Sequence, residues 1–505
     1  MLRKIRIAAA VFFIVSLTLL FLDYTGTLHR YLGWSAKIQL LPAILAGNIA
    51  VVVGLIAVTL LLGRAYCSVI CPLGIFQDVV SRIAGIGNKN RFSYRPSKKP
   101  LVILRYGLLV AAIAVCIIIG IGAAVIDPYG LYGKMVSPIL GPLYKWGNNI
   151  LAGFAERSGS YAFYHTDIWL TGAVALVVAI LTFAVIGAFA FKSGRGYCNT
   201  LCPVGAFLSL FAVCFEDSQL SPRIDTGKCN SCGLCAKNCK AGCIDPVKKS
   251  VDKLRCVACF NCLALCPTRA MSLTAIRLFD TDKSKQKPEP AKLANDGLAR
   301  RGFISGAALL ALGLFTRAIG RSFDGGLTPL EDKKAPARTV PIIPPGADNK
   351  RSFRKSCTGC QLCVSVCPNS VLRPSNKLLD FLHPRLSYER GYCRPECVKC
   401  SEVCPSGAIR PITTAEKSAT QIGIAVWNKD LCIINTDKVT CTLCLRKCPT
   451  GAITMIPQSA GDAASPKIPM VDANRCIGCG ACENLCPARP YSAIAVNGVE
   501  SHRTV

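Results

Sequence analysis

Residues 229–267 read CNSCGLCAKNCKAGCIDPVKKSVDKLRCVACFNCLALCP. Cys229, Cys232, Cys235 and Cys239 follow a CxxCxxCxxxC spacing, and Cys256, Cys259, Cys262 and Cys266 repeat it with Pro267 directly after. In this spacing three close thiolates hold one [4Fe-4S] cube, and the fourth cysteine of each run reaches the other cube. The two-residue gaps let one tight loop present three soft sulfur ligands at once. The stretch predicts a small module built around two clusters.

Working outward, the pattern returns towards the C-terminus. Cys357, Cys360, Cys363 and Cys367 precede Pro368, and Cys476, Cys479, Cys482 and Cys486 precede Pro487. Two looser quartets lie between them: Cys393, Cys397, Cys400 and Cys404, then Cys432, Cys441, Cys444 and Cys448. Six quartets use 24 of the 31 cysteines, so the repeat decides the architecture before any other signal. A disulfide framework or zinc would also use paired cysteines. Neither accounts for CxxCxxCxxxCP followed by a small, apolar run such as Pro449-Thr450-Gly451-Ala452-Ile453. Six [4Fe-4S] clusters are expected. Within 353–495 the pairing stays open: neighbouring quartets pair, or the first with the last and the middle two together.

Composition adds a membrane part, since 51% of residues are hydrophobic and the mean hydropathy is +0.39. The formal charge of +30 resembles a nucleic-acid signature. That count treats cysteine as neutral, whereas six clusters with their thiolates remove about 12 charges. Much of the remaining excess flanks apolar runs, where Lys and Arg set topology. No basic recognition helix is present, and no nucleic-acid partner is expected.

Residues 5–22, 39–62, 101–126 and 168–191 are apolar runs long enough to cross the roughly 30 Å hydrocarbon layer. A signal peptide competes for the first, but Asp23-Tyr24-Thr25 follows Leu22 where a small-residue cleavage site would stand. From Arg64 to Lys99 there are seven Lys and Arg against Asp78 alone, which marks the cytoplasmic side. The connection from Asp127 to Asp167 is poor in cations and rich in aromatics, including Tyr129, Tyr132, Tyr144, Trp146 and Tyr164. It is expected to face the periplasm, either as an interfacial belt or as part of a quinol pocket with His165, Asp127 or Asp167 accepting protons.

An internal repeat follows the second and fourth runs. Gly63-Arg64-Ala65-Tyr66-Cys67-Ser68-Val69-Ile70-Cys71-Pro72-Leu73-Gly74 matches Gly194-Arg195-Gly196-Tyr197-Cys198-Asn199-Thr200-Leu201-Cys202-Pro203-Val204-Gly205. The CxxxC spacing puts both sulfurs of a copy on one face of a helical turn. Both copies end on the same membrane side and can meet. Structural thiols, redox pairs and an additional metal centre held by Cys67, Cys71, Cys198 and Cys202 all fit the pattern.

Arg300-Arg301-Gly302-Phe303-Ile304 and the apolar run to Ile319 resemble a twin-arginine export signal, which suits a cluster-bearing domain that crosses already folded. Either 303–319 is a fifth span or it lies on the surface. The expected fold is therefore a membrane α-helical domain of four spans, with this fifth in question, joined to α+β bacterial ferredoxin-like [4Fe-4S] domains. Its units are 1–215 (membrane), 216–280 (two clusters), 281–350 (linker carrying the segment 300–320) and 351–505 (four clusters).

On these motifs residues 1–280 resemble NapH, the membrane ferredoxin-type subunit of periplasmic nitrate reductase systems, and 298–505 resemble NapG and MauM. The resemblance implies a fusion of two subunits that act as a quinol dehydrogenase. It places the chain in a bacterial inner membrane, with 216–299 cytoplasmic and 321–505 periplasmic. Its partners are membrane lipid, the quinone pool (menaquinone or another quinone) and a periplasmic reductase or cytochrome within a multi-subunit complex. The membrane half also resembles NosR and copper-oxidase assembly factors, so the alternative is a redox maturation, metal-delivery or regulatory protein that uses the CxxxC thiols.

Overall fold

The computed structural model describes residues 2–86, 92–96, 99–118, 127–160, 162–168, 172–214, 219–273, 331–459 and 465–505. The twin-arginine-like segment and the linker 281–297 lie outside them.

Three helices, Leu2–Leu22, Lys99–Ile118 and Ala173–Ser193, are long and apolar enough to cross a membrane. Their outward faces leave Phe12, Val15, Val110, Ile117, Leu181 and Val185 exposed, an apolar surface that water would not support and lipid does. The run 39–62 differs from the single span expected of it. It divides into Leu40–Leu45 and Ile49–Leu62, because Asn48 turns its side chain to accept from Val51 N (3.3 Å) and starts a new helix. The second piece has 14 residues and rises about 21 Å, short of a full bilayer.

The connection 127–167 holds a 30-residue helix, Pro128–Arg157. Asp127 caps it, accepting from Tyr129 N (3.2 Å) and Gly130 N (2.9 Å), and Pro128 fits the first turn. Its first turns are buried against the end of Leu2–Leu22, with the Phe21 and Tyr129 rings 5.4 Å apart and Thr18 Oγ1 2.7 Å from Tyr132 Oη. Farther along, Leu143, Trp146 and Phe154 are exposed, as residues at an apolar boundary are.

Two cysteine-rich modules engage opposite ends of Leu2–Leu22. Near its start, Arg6 bonds Asp78 (3.1 Å), which also holds Lys240 (3.4 Å) of the module 219–273. Beyond its end, Lys399 Nζ donates to Thr25 O (2.7 Å), and a Cβ on Gly26 would meet Val366 of the module 331–505. Both modules are made of short helices and two-stranded antiparallel ladders. Pro222–Ile224 pairs with Met271–Leu273 in the first, and Thr420–Trp427 pairs with Ile494–Thr504 in the second. Two-stranded ladders bury little by themselves, so the loops around the cysteines must supply the core.

The Pro-rich stretch Val340–Gly346, expected as a linker, packs into the second module. Residues 341–347 are buried, and Leu386 N and Arg410 N donate to Ile342 O and Gly346 O, each at 2.9 Å.

Candidate functional site

The four tight quartets share one backbone solution. The residues flanking the second cysteine both take positive φ: Ser231 and Gly233, Ala258 and Phe260, Gly359 and Gln361, Gly478 and Gly480. Left-handed turns on each side of a cysteine curl the loop around a common centre, and Ser231, Ala258, Phe260 and Gln361 accept the strain of a non-glycine residue there. The looser quartets have no such pair.

Neighbouring quartets exchange their fourth cysteines. Cys229, Cys232 and Cys235 line one small cavity with Cys266, and Cys393, Cys397 and Cys400 line another with Cys367. Reciprocally, Cys239 lies within electrostatic range of Cys256, Cys259 and Cys262, and Cys404 within range of Cys357, Cys360 and Cys363. The last pair behaves alike, with Cys448 facing Cys476, Cys479 and Cys482, and Cys486 facing Cys444. Cys432 is buried at the start of Ile433–Thr436.

These sites suit a positively charged iron-sulfur core. Burial pushes the Cys360 thiol up to about 12, with Cys404 adding to it, and the Cys479 thiol likewise to about 12. Four thiolates together in such a place need a cationic partner. Among the described residues no group of three or more His, Cys, Asp or Glu closes tightly enough for a single metal ion, and a four-iron cube needs a wider cage. Backbone amides also point at the sulfurs: Ala452 N at Cys448 Sγ (3.2 Å), Ala493 N at Cys486 Sγ (3.3 Å) and Ile409 N at Cys404 Sγ (3.5 Å). The small residues after each fourth cysteine allow that approach, and such donors tune a cluster's potential. The quartet cysteines and those of both CxxxC copies form no disulfide.

The two CxxxC copies meet. Cys67, Cys71, Cys198 and Cys202 are all buried and lie within electrostatic range of one another. Cys71 precedes the helix Pro72–Ile83, and Cys202 precedes Pro203–Cys214, so two helix N-termini converge on the sulfurs. Gly205 N lies 3.4 Å from Cys202 Sγ. Arg64 and Arg195 are fully buried, and each crosses to the other copy. Arg64 donates to Cys198 O (3.0 Å) and Asn199 Oδ1 (2.8 Å), while Arg195 donates to Cys67 O and Asp78 Oδ1 (2.9 Å). Gln77 Nε2 stands 3.2 Å from Cys198 Sγ. Burial pushes the Cys71, Cys198 and Cys202 thiols up, and the two guanidinium groups and two helix N-termini offset part of that cost. The motif's last glycine is required by close approach. A Cβ at Gly74 would fall 2.2 Å from Cys67 O, and one at Gly205 would fall 2.6 Å from Cys198 O.

His165, Asp167 and Asp127 separate. His165 and Asp167 line a cleft of about 570 Å³ between the membrane part and the second module, with Tyr24, Lys145, Cys367 and Arg390. His165 Nε2 is 3.6 Å from Glu156 Oε1. Asp127 is buried as the cap described above, within electrostatic range of Tyr66 and Tyr197 of the CxxxC copies. A narrower pocket beside the cleft is walled by Phe21, Leu22, Pro142 and Lys145 against Cys367. The buried arginines and Asp78 join this site, and the sequence reading left them without a role. Their signal was present, since arginine precedes the first cysteine by three in both copies.

Comparison with known proteins finds iron-sulfur domains along the chain. A 4Fe-4S binding domain model matches residues 45–91 and 174–217, and 4Fe-4S dicluster domain models match 356–409 and 439–489. The methylamine utilization ferredoxin-type protein MauM of Methylobacillus flagellatus is 32% identical over 34% of this chain and 75% of its own length. The ferredoxin-type protein NapG of Escherichia coli is 31% identical over 31% of this chain and 71% of its own. YccM of Escherichia coli, whose name assigns it to electron transport, is 26% identical over 57% of this chain and 68% of its own. No solved structure matches.

Proposed function

Because the chain belongs to the MauM and NapG ferredoxin-type proteins, which are iron-sulfur electron-transfer proteins, we propose that it oxidises quinol and delivers the electrons to a periplasmic reductase or cytochrome. It would do so as a fusion of a NapH-like half and a NapG-like half in a bacterial inner membrane. The 24 quartet cysteines would hold six clusters in exchanged pairs: 229/232/235/266 with 256/259/262/239, 357/360/363/404 with 367/393/397/400, and 432/441/444/486 with 448/476/479/482. Bound there, [4Fe-4S] clusters supply one-electron centres.

One observation carries the reading. The second module is seated on the start of Pro128–Arg157 so closely that a Cβ at Gly133 would lie 2.3 Å from Cys360 O, and one at Gly130 would lie 2.8 Å from Thr358 O. On the other side of that helix start, Asp127 faces the CxxxC residues. These in turn touch the first module through Arg64 to Leu254 O (3.1 Å) and Asn199 to Ala241 O (3.3 Å). The CxxxC site thus lies between the two modules and supports a relay across the bundle. Opposite ends for the two modules support a cytoplasmic 219–273 and a periplasmic 331–505.

Quinol would enter the pocket walled by Phe21, Leu22 and Pro142, which opens beside Cys367 and the end of a spanning helix. Lys145 would orient a headgroup oxygen, and His165 and Asp167 in the adjoining cleft would take its protons. Burial of the four CxxxC thiols favours this relay over metal delivery, since thiol exchange with a partner requires access. The test is menaquinol-analogue reduction of the purified, detergent-extracted chain, followed by low-temperature EPR. Reduced-cluster signals with quinol support the reading, whereas reduction by dithionite alone overturns it.

A further inference from the structure

Cys243 stands outside the six quartets, yet it is buried to 2% exposure and its sulfur lies 3.5 Å from Cys239 Sγ. Its thiol also lies within interaction range of Cys256. Cys239 and Cys256 belong to one candidate cluster site, so five thiols converge where the repeat elsewhere supplies four.

The repeat itself marks the position. Every other fourth cysteine is followed by proline, and the residue four places on is Ala270, Val371, Ala408, Ala452 or Pro490. After Cys239 comes Lys240, and the residue four places on is Cys243. Without the proline the chain closes a tight turn, with Gly242 N bonded to Cys239 O (2.9 Å) and Gly242 at φ +59°. The turn is clamped from outside: Arg255 donates to Ala241 O (3.1 Å) and Gly242 O (3.2 Å), and Arg195 N to Lys240 O (2.9 Å). The fifth thiol is thus held rigidly, at the module edge that meets the CxxxC residues.

We propose that Cys243 is an exchange ligand of the cluster held by Cys239, Cys256, Cys259 and Cys262, able to take the iron that Cys239 binds; this rests on those four residues holding a cluster. In the exchange the iron–sulfur bond to Cys239 breaks and one to Cys243 forms. The Cys243 thiol proton passes to the Cys239 sulfur beside it, and no electron is gained or lost. The exchange keeps the iron fully ligated when the Cys239 sulfur is displaced, at the module edge that meets the CxxxC residues.

The test uses the full chain purified anaerobically, read by iron and acid-labile sulfide per chain and by EPR of the dithionite-reduced protein. Cys259→Ala checks the underlying assignment: it should carry about four irons fewer than wild type, and full iron in it would sink the cluster itself. With that loss in hand, Cys239→Ala and Cys243→Ala should each retain wild-type iron, Cys239→Ala should show an altered EPR line shape, and the double variant should drop by about four irons. The exchange is overturned if Cys239→Ala loses as much iron as Cys259→Ala, if Cys243→Ala loses it, or if Cys239→Ala yields no folded chain while Cys243→Ala does.

Discussion

Arg64 Nη2 lies 3.0 Å from the carbonyl oxygen of Cys198, although 134 residues separate them. Arg195 returns the contact to the carbonyl of Cys67. Each copy of the repeat therefore completes the other, and neither CxxxC turn is whole alone. The arrangement explains why the arginine, both cysteines, the proline and the last glycine recur together.

Arg195→Ala should be strongly destabilising. It strips Asp78 of its closest cation (2.8 Å) in a fully buried setting, and removing one partner of a buried pair costs about 3–5 kcal/mol. Arg195→Lys should recover only part of this, because one ammonium cannot serve both Asp78 and Cys67 O as the guanidinium does. Thermal unfolding of the detergent-solubilised chain measures both.

Gly205→Ala pushes a methyl group into Cys198 O, a backbone atom with no room to retreat. A loss of about 1–3 kcal/mol is expected, with slower quinol-dependent cluster reduction. Gly187→Ala, in the helix Ala173–Ser193 with nothing within 4 Å of the new methyl, should leave both unchanged. Equal effects from the two variants would contradict the crossed-arginine packing.

Exchange of fourth cysteines predicts which variants share a phenotype. Cys404→Ala should reproduce the EPR loss of Cys357→Ala, and Cys367→Ala that of Cys393→Ala. If Cys404→Ala instead matches Cys393→Ala, each quartet closes on itself.

His383 gives the second module a pH dependence. It is buried at 2% exposure, neither ring nitrogen finds a hydrogen bond among the described residues, and burial, with Lys134 nearby, lowers its pKa to about 4. The unfolded chain protonates near 6.5, so it binds more protons than the native state between these values. Stability is then full above about pH 6.5 and falls as pH drops towards 4, by up to ~3 kcal/mol. His383→Leu should flatten the slope of the urea midpoint between pH 7 and pH 5, leaving the share of His502, which burial also lowers to about 4.

The cysteine spacing alone made the cluster modules legible, because ligand geometry leaves few ways to wrap a short loop around a cube. Apolar length marked Leu2–Leu22, Lys99–Ile118 and Ala173–Ser193, since lipid demands unbroken backbone bonding over a fixed thickness, but it did not reveal the break at Asn48 within 39–62. The helix Pro128–Arg157 escaped because its buried face is short and mixed with polar residues, though Asp127-Pro128 is a helix-start signal visible in the chain. Fold-level contacts decided the rest. Which quartets pair, where Val340–Gly346 packs and how Arg64 meets Cys198 depend on residues far apart in sequence. Those contacts are chosen by the burial of charge and sulfur, which no local pattern records.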